Sequence, residues 1–176
     1  LEGRGVRWQH DSGVLQDSLQ ILKDHGIDSV RLRVFVNPPP DYTWQKTSST
    51  TCLLGYYDQA GVAAAQRAKN LGINRIMLCF HYSDHFANPA YQDKPAAWVG
   101  RSFTQLKTDV YNHTYAVMNA LKSAGITPEW AAIGNEIRGG MLWPEGSTSN
   151  WSQLAQLINS GYDAVKAVSP TTKVIV

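Results

Sequence analysis

The sequence predicts an α/β fold, a (β/α)8 barrel of which only about the first half is present, and three observations carry that reading. Segments with apolar residues at helical spacing alternate strictly with short apolar strands. The junction Lys-x-x-Gly-Ile recurs three times between a helix and a strand, at Lys23 to Ile27, Lys69 to Ile73 and Lys122 to Ile126. The loops after the strands are long and rich in Trp, Tyr, His, Asp and Asn, and no phosphate-binding glycine pattern follows any strand. Parallel strands need a crossover, which the helices supply. A doubly wound sheet is the alternative; the loop chemistry favours a barrel, whose sites lie at the C-terminal ends of its strands.

Taken in order, Leu15, Leu19 and Leu22 recur at helical spacing after the possible cap Ser12, and Gly26 closes that helix. Val30, Leu32, Val34 and Val36 then alternate with Arg31, Arg33 and Phe35, the pattern of a strand with two different faces. In a barrel one face meets the helices and the other the interior, so Arg31 and Arg33 point inward. Further strands are expected over Arg75 to Tyr82, Trp130 to Ile137 and Lys173 to Val176, with a last helix from about Ser152 to Val168 carrying Leu154, Leu157, Ile158 and Val165 on its apolar side. Four strands in 176 residues, against the roughly 250 residues of a full barrel, make half a barrel.

Composition narrows the function. The net charge is +2 and the 16 basic residues are scattered, which argues against a nucleic-acid partner. No run approaches the roughly 20 apolar residues of a membrane helix. His10, His25, His81, His85 and His113 lack zinc-ligand spacing, so no metal is expected, and Cys52, placed in a loop, and Cys79, placed in a strand, do not make a disulfide framework. Six Trp and eight Tyr hint at carbohydrate, although aromatic rings also simply pack. Asn112-His113-Thr114 and Asn150-Trp151-Ser152 are glycosylation sequons, used only in a secretory pathway.

The best chemical candidate is the strand Trp130 to Ile137, which ends in Gly134-Asn135-Glu136. Glycoside hydrolysis needs a carboxyl group beside the leaving oxygen, and an adjacent amide can hold the sugar 2-hydroxyl in the transition state. Glu136 and Asn135 supply both groups; the plainer alternative is a helix cap. After the strand Arg75 to Tyr82, Asp84 could bind sugar hydroxyls or a barrel arginine and His81 could orient a carboxylate, or each could simply brace a loop. Arg31 and Arg33 call for anionic partners, either a catalytic carboxylate or a buried structural one.

Three segments, Val30-Arg31-Leu32-Arg33-Val34-Phe35-Val36-Asn37-Pro38, Phe80-His81-Tyr82-Ser83-Asp84 and Gly134-Asn135-Glu136-Ile137-Arg138-Gly139-Gly140-Met141-Leu142-Trp143-Pro144, resemble glycoside hydrolase family 53, the arabinogalactan endo-β-1,4-galactanases. The resemblance covers most of the chain. It implies a retaining (β/α)8 enzyme acting on the β-1,4-galactan side chains of pectin, with residues 1–176 forming part of the catalytic domain and the visible strands being the second to the fifth. It further implies Glu136 as acid/base and Asn135, His81, Asp84, Arg33, Asn37, Phe86 and Trp143 as substrate-cleft residues. No cofactor is implied, since two carboxylates and water suffice; a structural calcium in some relatives sits in loops that these residues do not reach. The likeness to fungal members implies secretion, and oligomeric state is left open.

The departures are specific. Leu78-Cys79-Phe80-His81 stands where the family typically has an Asp in place of the cysteine, and His85-Phe86-Ala87-Asn88-Pro89 stands where it usually has Thr-Trp-Ala-Asp-Pro. The loop from Pro38 to Leu54 is longer than usual, the family's first strand is not found, and its nucleophile, a glutamate on the seventh strand, is expected beyond Val176. Two rivals follow: another glycosidase of the same clan acting on β-glucan or β-mannan, and a non-catalytic fragment with at most weak sugar binding.

Overall fold

The computed structural model of the chain describes residues 5–39, 43–47, 50–53 and 62–176. Two short strands, β1 (Trp8–Gln9) and β2 (Leu15–Gln16), pair antiparallel ahead of α1 (Ser18–Asp24). The helix therefore starts later than the leucine spacing predicts. Asp17, not Ser12, is its cap, accepting the N–H groups of Leu19 and Gln20, and Leu15 belongs to the hairpin instead. Next come β3 (Ser29–Val34), a hairpin of β4 (Thr43–Thr47) and β5 (Thr50–Leu53), and α2 (Val62–Asn70). The long loop after Pro38 thus contains a hairpin, and Cys52 lies in one of its strands with its side chain outside the described residues. β6 (Arg75–Phe80), α3 (Phe103–Ser123), β7 (Trp130–Ala132), α4 (Trp151–Val168) and β8 (Lys173–Ile175) complete the succession.

The four main strands form one parallel sheet in the order β3-β6-β7-β8, with Arg33 beside Cys79 and Cys79 beside Ala132. Strand order equals chain order, which is what one strand–helix unit after another produces in a barrel wall. The outward face packs on the helices: Val34, Leu78, Phe80, Ala131 and Ile133 share one core with Leu106, Val110 and Met118 of α3 and Leu154, Leu157 and Val165 of α4. Each of these side chains larger than alanine contributes roughly 1.5–3 kcal/mol by leaving water. Helix α4 comes close because Gly161 has no side chain; a Cβ there would meet Ile133 Cγ2 at 2.7 Å and the Tyr82 hydroxyl at 2.9 Å.

The recurring junctions have a structural meaning beyond ending helices. Lys23 Nζ donates to the Leu71 carbonyl, Lys69 Nζ to the Gly125 carbonyl at 2.8 Å, and Lys122 Nζ to the Val168 carbonyl at 3.1 Å. Each lysine near the end of one helix thus serves the unpaired C-terminal carbonyls, and the negative dipole end, of the next. Gly72 takes the left-handed conformation that closes α2, and a Cβ on it would lie 2.7 Å from Lys23 Nζ, so the same glycine ends one helix and admits the neighbour's cation.

At the N-terminal ends of the strands an exposed ion ladder crosses the sheet. Arg75 bonds Asp28 at 3.3 Å and Glu129 at 3.0 Å, and Lys173 bonds Glu129 at 3.3 Å. The Arg75 guanidinium also lies over the Trp130 ring, 4.9 Å from its centroid. The opposite, C-terminal ends carry the residues singled out for chemistry. Among the described residues, no helix is long and apolar enough to cross a membrane.

Candidate active site

Strand β7 is shorter than the apolar run suggests. Regular pairing stops at Ala132, and Gly134 then turns at φ 93°, where a Cβ would strike Ile137 Cγ2 at 2.5 Å. This turn presents Asn135 and Glu136 side by side at the strand's C-terminal end. Glu136 itself is left-handed, at φ 52° and ψ 43°, and leads into a 3-10 turn over Ile137–Gly139. A non-glycine residue in that region costs about 1–2 kcal/mol and persists only where its surroundings hold it.

The surroundings do hold it. Asn135 is 4% exposed, and its side-chain oxygen and one of its two amide N–H groups are engaged. Its side-chain oxygen accepts from Arg31 Nη2 at 2.5 Å and from the Cys79 thiol at 3.3 Å, and its amide nitrogen donates to the Ala87 carbonyl at 2.7 Å. Its backbone carbonyl accepts from Gln92 Nε2 at 2.9 Å. Glu136, by contrast, is exposed. An immobile amide therefore stands beside a carboxyl group open to the cleft.

Arg31 and Arg33 do share the inward face, but among the described residues their partners differ from the anionic ones expected. Arg31 Nη2 contacts Cys79 Sγ at 2.8 Å as well as Asn135, and the Arg33 guanidinium lies over the Phe86 ring at 5.1 Å. An amide oxygen, a thiol and a ring face take the place of carboxylates. Burial pushes the Cys79 thiol up, with Arg31 opposing, so the group stays a neutral thiol.

His81 is wholly buried, edge-on to Phe35 and Phe86 with ring centroids 4.9 and 4.8 Å away. Its Nδ1 accepts the Ala87 N–H at 3.2 Å, which places the proton of the neutral ring on Nε2. Burial, and then the nearby Arg31 and Arg33 charges, lower its pKa to about 3. Asp84 acts as a brace: one oxygen accepts the Asn37 N–H at 2.9 Å and the other the Ala96 N–H at 2.8 Å. Asn37 meets this site through its backbone, while its side chain is exposed. Trp143 packs on the turn that follows Glu136, its indole N–H donating to the Gly139 carbonyl at 3.0 Å.

Sequence reasoning missed the second layer. Gln92 is 3% exposed; its side chain holds Asn135 while its carbonyl accepts the Trp143 N–H at 2.9 Å. Beside it, Lys94 Nζ bridges both oxygens of Glu145 at 2.7 and 2.8 Å, joining the loop after β6 to the loop after Glu136. Neither sits in a periodic segment or a recognised motif, so only the pairing of the two loops reveals them.

An Asn-Glu pair presented at the end of one strand, with an arginine, a histidine and aromatic rings from its neighbours, defines part of a (β/α)8 barrel of the glycosidase kind. Glycosyl hydrolase family 53 matches residues 1–176, and the chain belongs to that family. An arabinogalactan endo-β-1,4-galactanase of Thermothelomyces thermophilus is 37% identical over 177 residues, covering 99% of this chain and 49% of the relative. One of Humicola insolens is 36% identical over 178 residues with the same coverage. Among solved structures, one of fungal β-1,4-galactanases superposes with a TM-score of 0.84 at 38% identity, over 98% of this chain and 48% of that one. The Ignisphaera aggregans GH53 catalytic domain gives 0.80 at 34%, over 97% and 46%. The chain thus spans about half the length of the curated relatives it matches.

Proposed function

We propose that this chain is part of the catalytic domain of a secreted, retaining endo-β-1,4-galactanase in which Glu136 is the acid/base. The observation that carries the reading is the pairing of an immobilised Asn135 with an exposed Glu136 at the C-terminal end of β7. Family membership and the names of the fungal relatives point to the same substrate, the β-1,4-galactan of arabinogalactan.

In the first half-reaction Glu136 gives its proton to the glycosidic oxygen as a second glutamate attacks the anomeric carbon and the leaving chain departs. That nucleophile is assigned to a residue outside 1–176, roughly 5 Å from Glu136. In the second half-reaction Glu136 takes a proton from water, which attacks the same carbon and frees the nucleophile. Asn135 holds the 2-hydroxyl of the reacting sugar; Arg33, Asn37, His81, Asp84, Phe86 and Trp143 shape the cleft, Phe86 and Trp143 as ring surfaces and Asp84 through the loops it ties. The reaction draws on no cofactor. Secretion fits the exposed asparagines of both sequons, Asn112 and Asn150.

The test is release of reducing ends from galactan, cellulose and mannan by the complete protein and by its Glu136→Gln variant. Turnover of galactan above the other two, with a loss of about 10²- to 10⁴-fold in the variant, is expected. A variant that keeps most of its activity refutes the assignment of Glu136. Preference for cellulose or mannan makes the protein another glycosidase of the clan, and galactan binding without turnover by the unaltered protein makes it a sugar-binding relative.

A further inference from the structure

The left-handed backbone at Glu136 raises the question of what keeps it there. The carbonyl of the peptide between Asn135 and Glu136 lies beyond the regular pairing of β7, which ends at Ala132. A buried carbonyl without a donor costs roughly 1–3 kcal/mol. That donor is the Gln92 side chain, whose Nε2 lies 2.9 Å from the Asn135 carbonyl oxygen and 3.4 Å from the Glu136 carbonyl oxygen. One amide group thus spans both carbonyls of the pair.

Gln92 is itself fixed. Its own carbonyl accepts the Trp143 N–H, Asp93 forms a parallel bridge with Trp143, and Lys94 and Glu145 close the same seam at 13% and 25% side-chain exposure. The loop after β6 therefore grips the segment 135–145 at three successive residues, 92, 93 and 94. The first of these grips is on the carbonyls that set the direction of Glu136.

We propose that Gln92 is a positioning residue for general acid/base catalysis: its side-chain amide holds the left-handed Asn135-Glu136 backbone so that the Glu136 carboxyl faces the scissile bond. This rests on Glu136 being the acid/base. Misplacing a reacting group by about 1 Å costs on the order of 100-fold in rate. Loss of the amide should therefore appear in kcat, with KM little changed.

The experiment uses the complete protein with Gln92→Leu, which keeps the volume and removes the donor, and Gln92→Glu, which keeps a donor only while the introduced carboxyl is protonated. On galactan, Gln92→Leu should lose roughly 10- to 100-fold in kcat with KM within about twofold, and Gln92→Glu should recover activity as pH falls. A β-1,4-galactobioside bearing 2,4-dinitrophenolate needs no proton from the acid, and azide can attack the glycosyl-enzyme without a base, forming a galactobiosyl azide and freeing the nucleophile. With both, Gln92→Leu should approach the unaltered protein. A defect of equal size on both substrates, or full galactan turnover by Gln92→Leu, overturns the proposal. If Glu136→Gln is also fully active, the reading of the acid/base has failed; if Glu136→Gln is inactive, the failure is that of Gln92 alone. Thermal unfolding of Gln92→Leu within a few degrees of the parent excludes general collapse, and azide rescue measured at a temperature where the variant is folded decides the matter if it is not.

Discussion

Arg31 and Asn135, 104 positions apart in sequence, are joined through Nη2 and Oδ1, and the Cys79 thiol bonds both partners. This three-way contact ties β3, β6 and the end of β7 together immediately beneath Glu136. A hydrogen bond from a charged donor is worth about 1.5–3 kcal/mol. Arg31→Met in the complete protein is expected to lower stability by about that amount in urea denaturation and to reduce galactan turnover by roughly 10-fold or more, with Arg31→Lys restoring only part because an ammonium lacks the planar fork. The Cys79 thiol, buried and held neutral, should resist iodoacetamide in the folded chain and react once it is unfolded, as mass spectrometry reads directly.

Gly140 turns at φ 93° where the loop after Glu136 closes on itself, and a Cβ there would lie 2.1 Å from the Gly146 carbonyl oxygen. Gly140→Ala should therefore open the loop and cost about 2 kcal/mol or more. Gly100→Ala is the control, since it shares a positive φ but meets nothing within 4 Å, and should cost only the backbone strain of about 1 kcal/mol. Thermal melts of equal depression would show that the Gly140–Gly146 approach is unimportant.

The ladder at the other end of the strands gives a pH dependence. The Ser29 hydroxyl and then Arg75 hold the Asp28 carboxyl below its ordinary value, and Arg75 followed by Lys173 do the same for Glu129. As pH falls, the unfolded chain takes up these protons before the folded one does. The contribution is therefore full above about pH 5 and is lost as pH drops through and below about 4. Urea midpoints measured from pH 6 to pH 3 should decline, less steeply in Glu129→Gln, and added salt should shrink the difference because the ladder is solvent-exposed.

Thr114 serves two ends. Its hydroxyl is buried between the Tyr82 hydroxyl at 2.8 Å and the Val110 carbonyl at 2.8 Å, and it completes the sequon of Asn112. Thr114→Val should strand the Tyr82 hydroxyl and cost about 1–3 kcal/mol, and in a secreted protein it should also abolish any glycan at Asn112. Thr114→Ser keeps the hydroxyl and the sequon, so it should restore both. Unfolding curves before and after glycan removal separate the two effects.

Much of the fold was legible because its signals are local. The Lys-x-x-Gly-Ile junctions end α1, α2 and α3 as expected, and alternation along Val30 to Val34 sorts Leu32 outward and Arg31 inward. The start of α1 was misjudged because Leu15 obeys helical spacing by coincidence while pairing with Gln9 in a hairpin. The Asn135-Glu136 pair was legible from its place at a strand's end. Its supports were not, since Gln92, Ala87 and Cys79 approach it from 43, 48 and 56 positions away, and nothing local in the sequence marks contacts made across such distances. The partners of Arg31 differ for a related reason: charge alone suggests an anion, whereas an amide oxygen and a thiol accept from a guanidinium that stays exposed on the sheet's inward face.

The lysine contacts between successive helices run in one direction only, from Lys23 to Leu71, from Lys69 to Gly125 and from Lys122 to Val168. The wall consequently has a sense of travel, with α1, α2 and α3 each handing a cation to the helix that follows. Two units docked out of turn would leave one helix end bare and another with a surplus charge, so the contact proofreads neighbour order as well as holding it. Each handover involves adjacent units alone, as the contacts between neighbours do in a linear array of repeats.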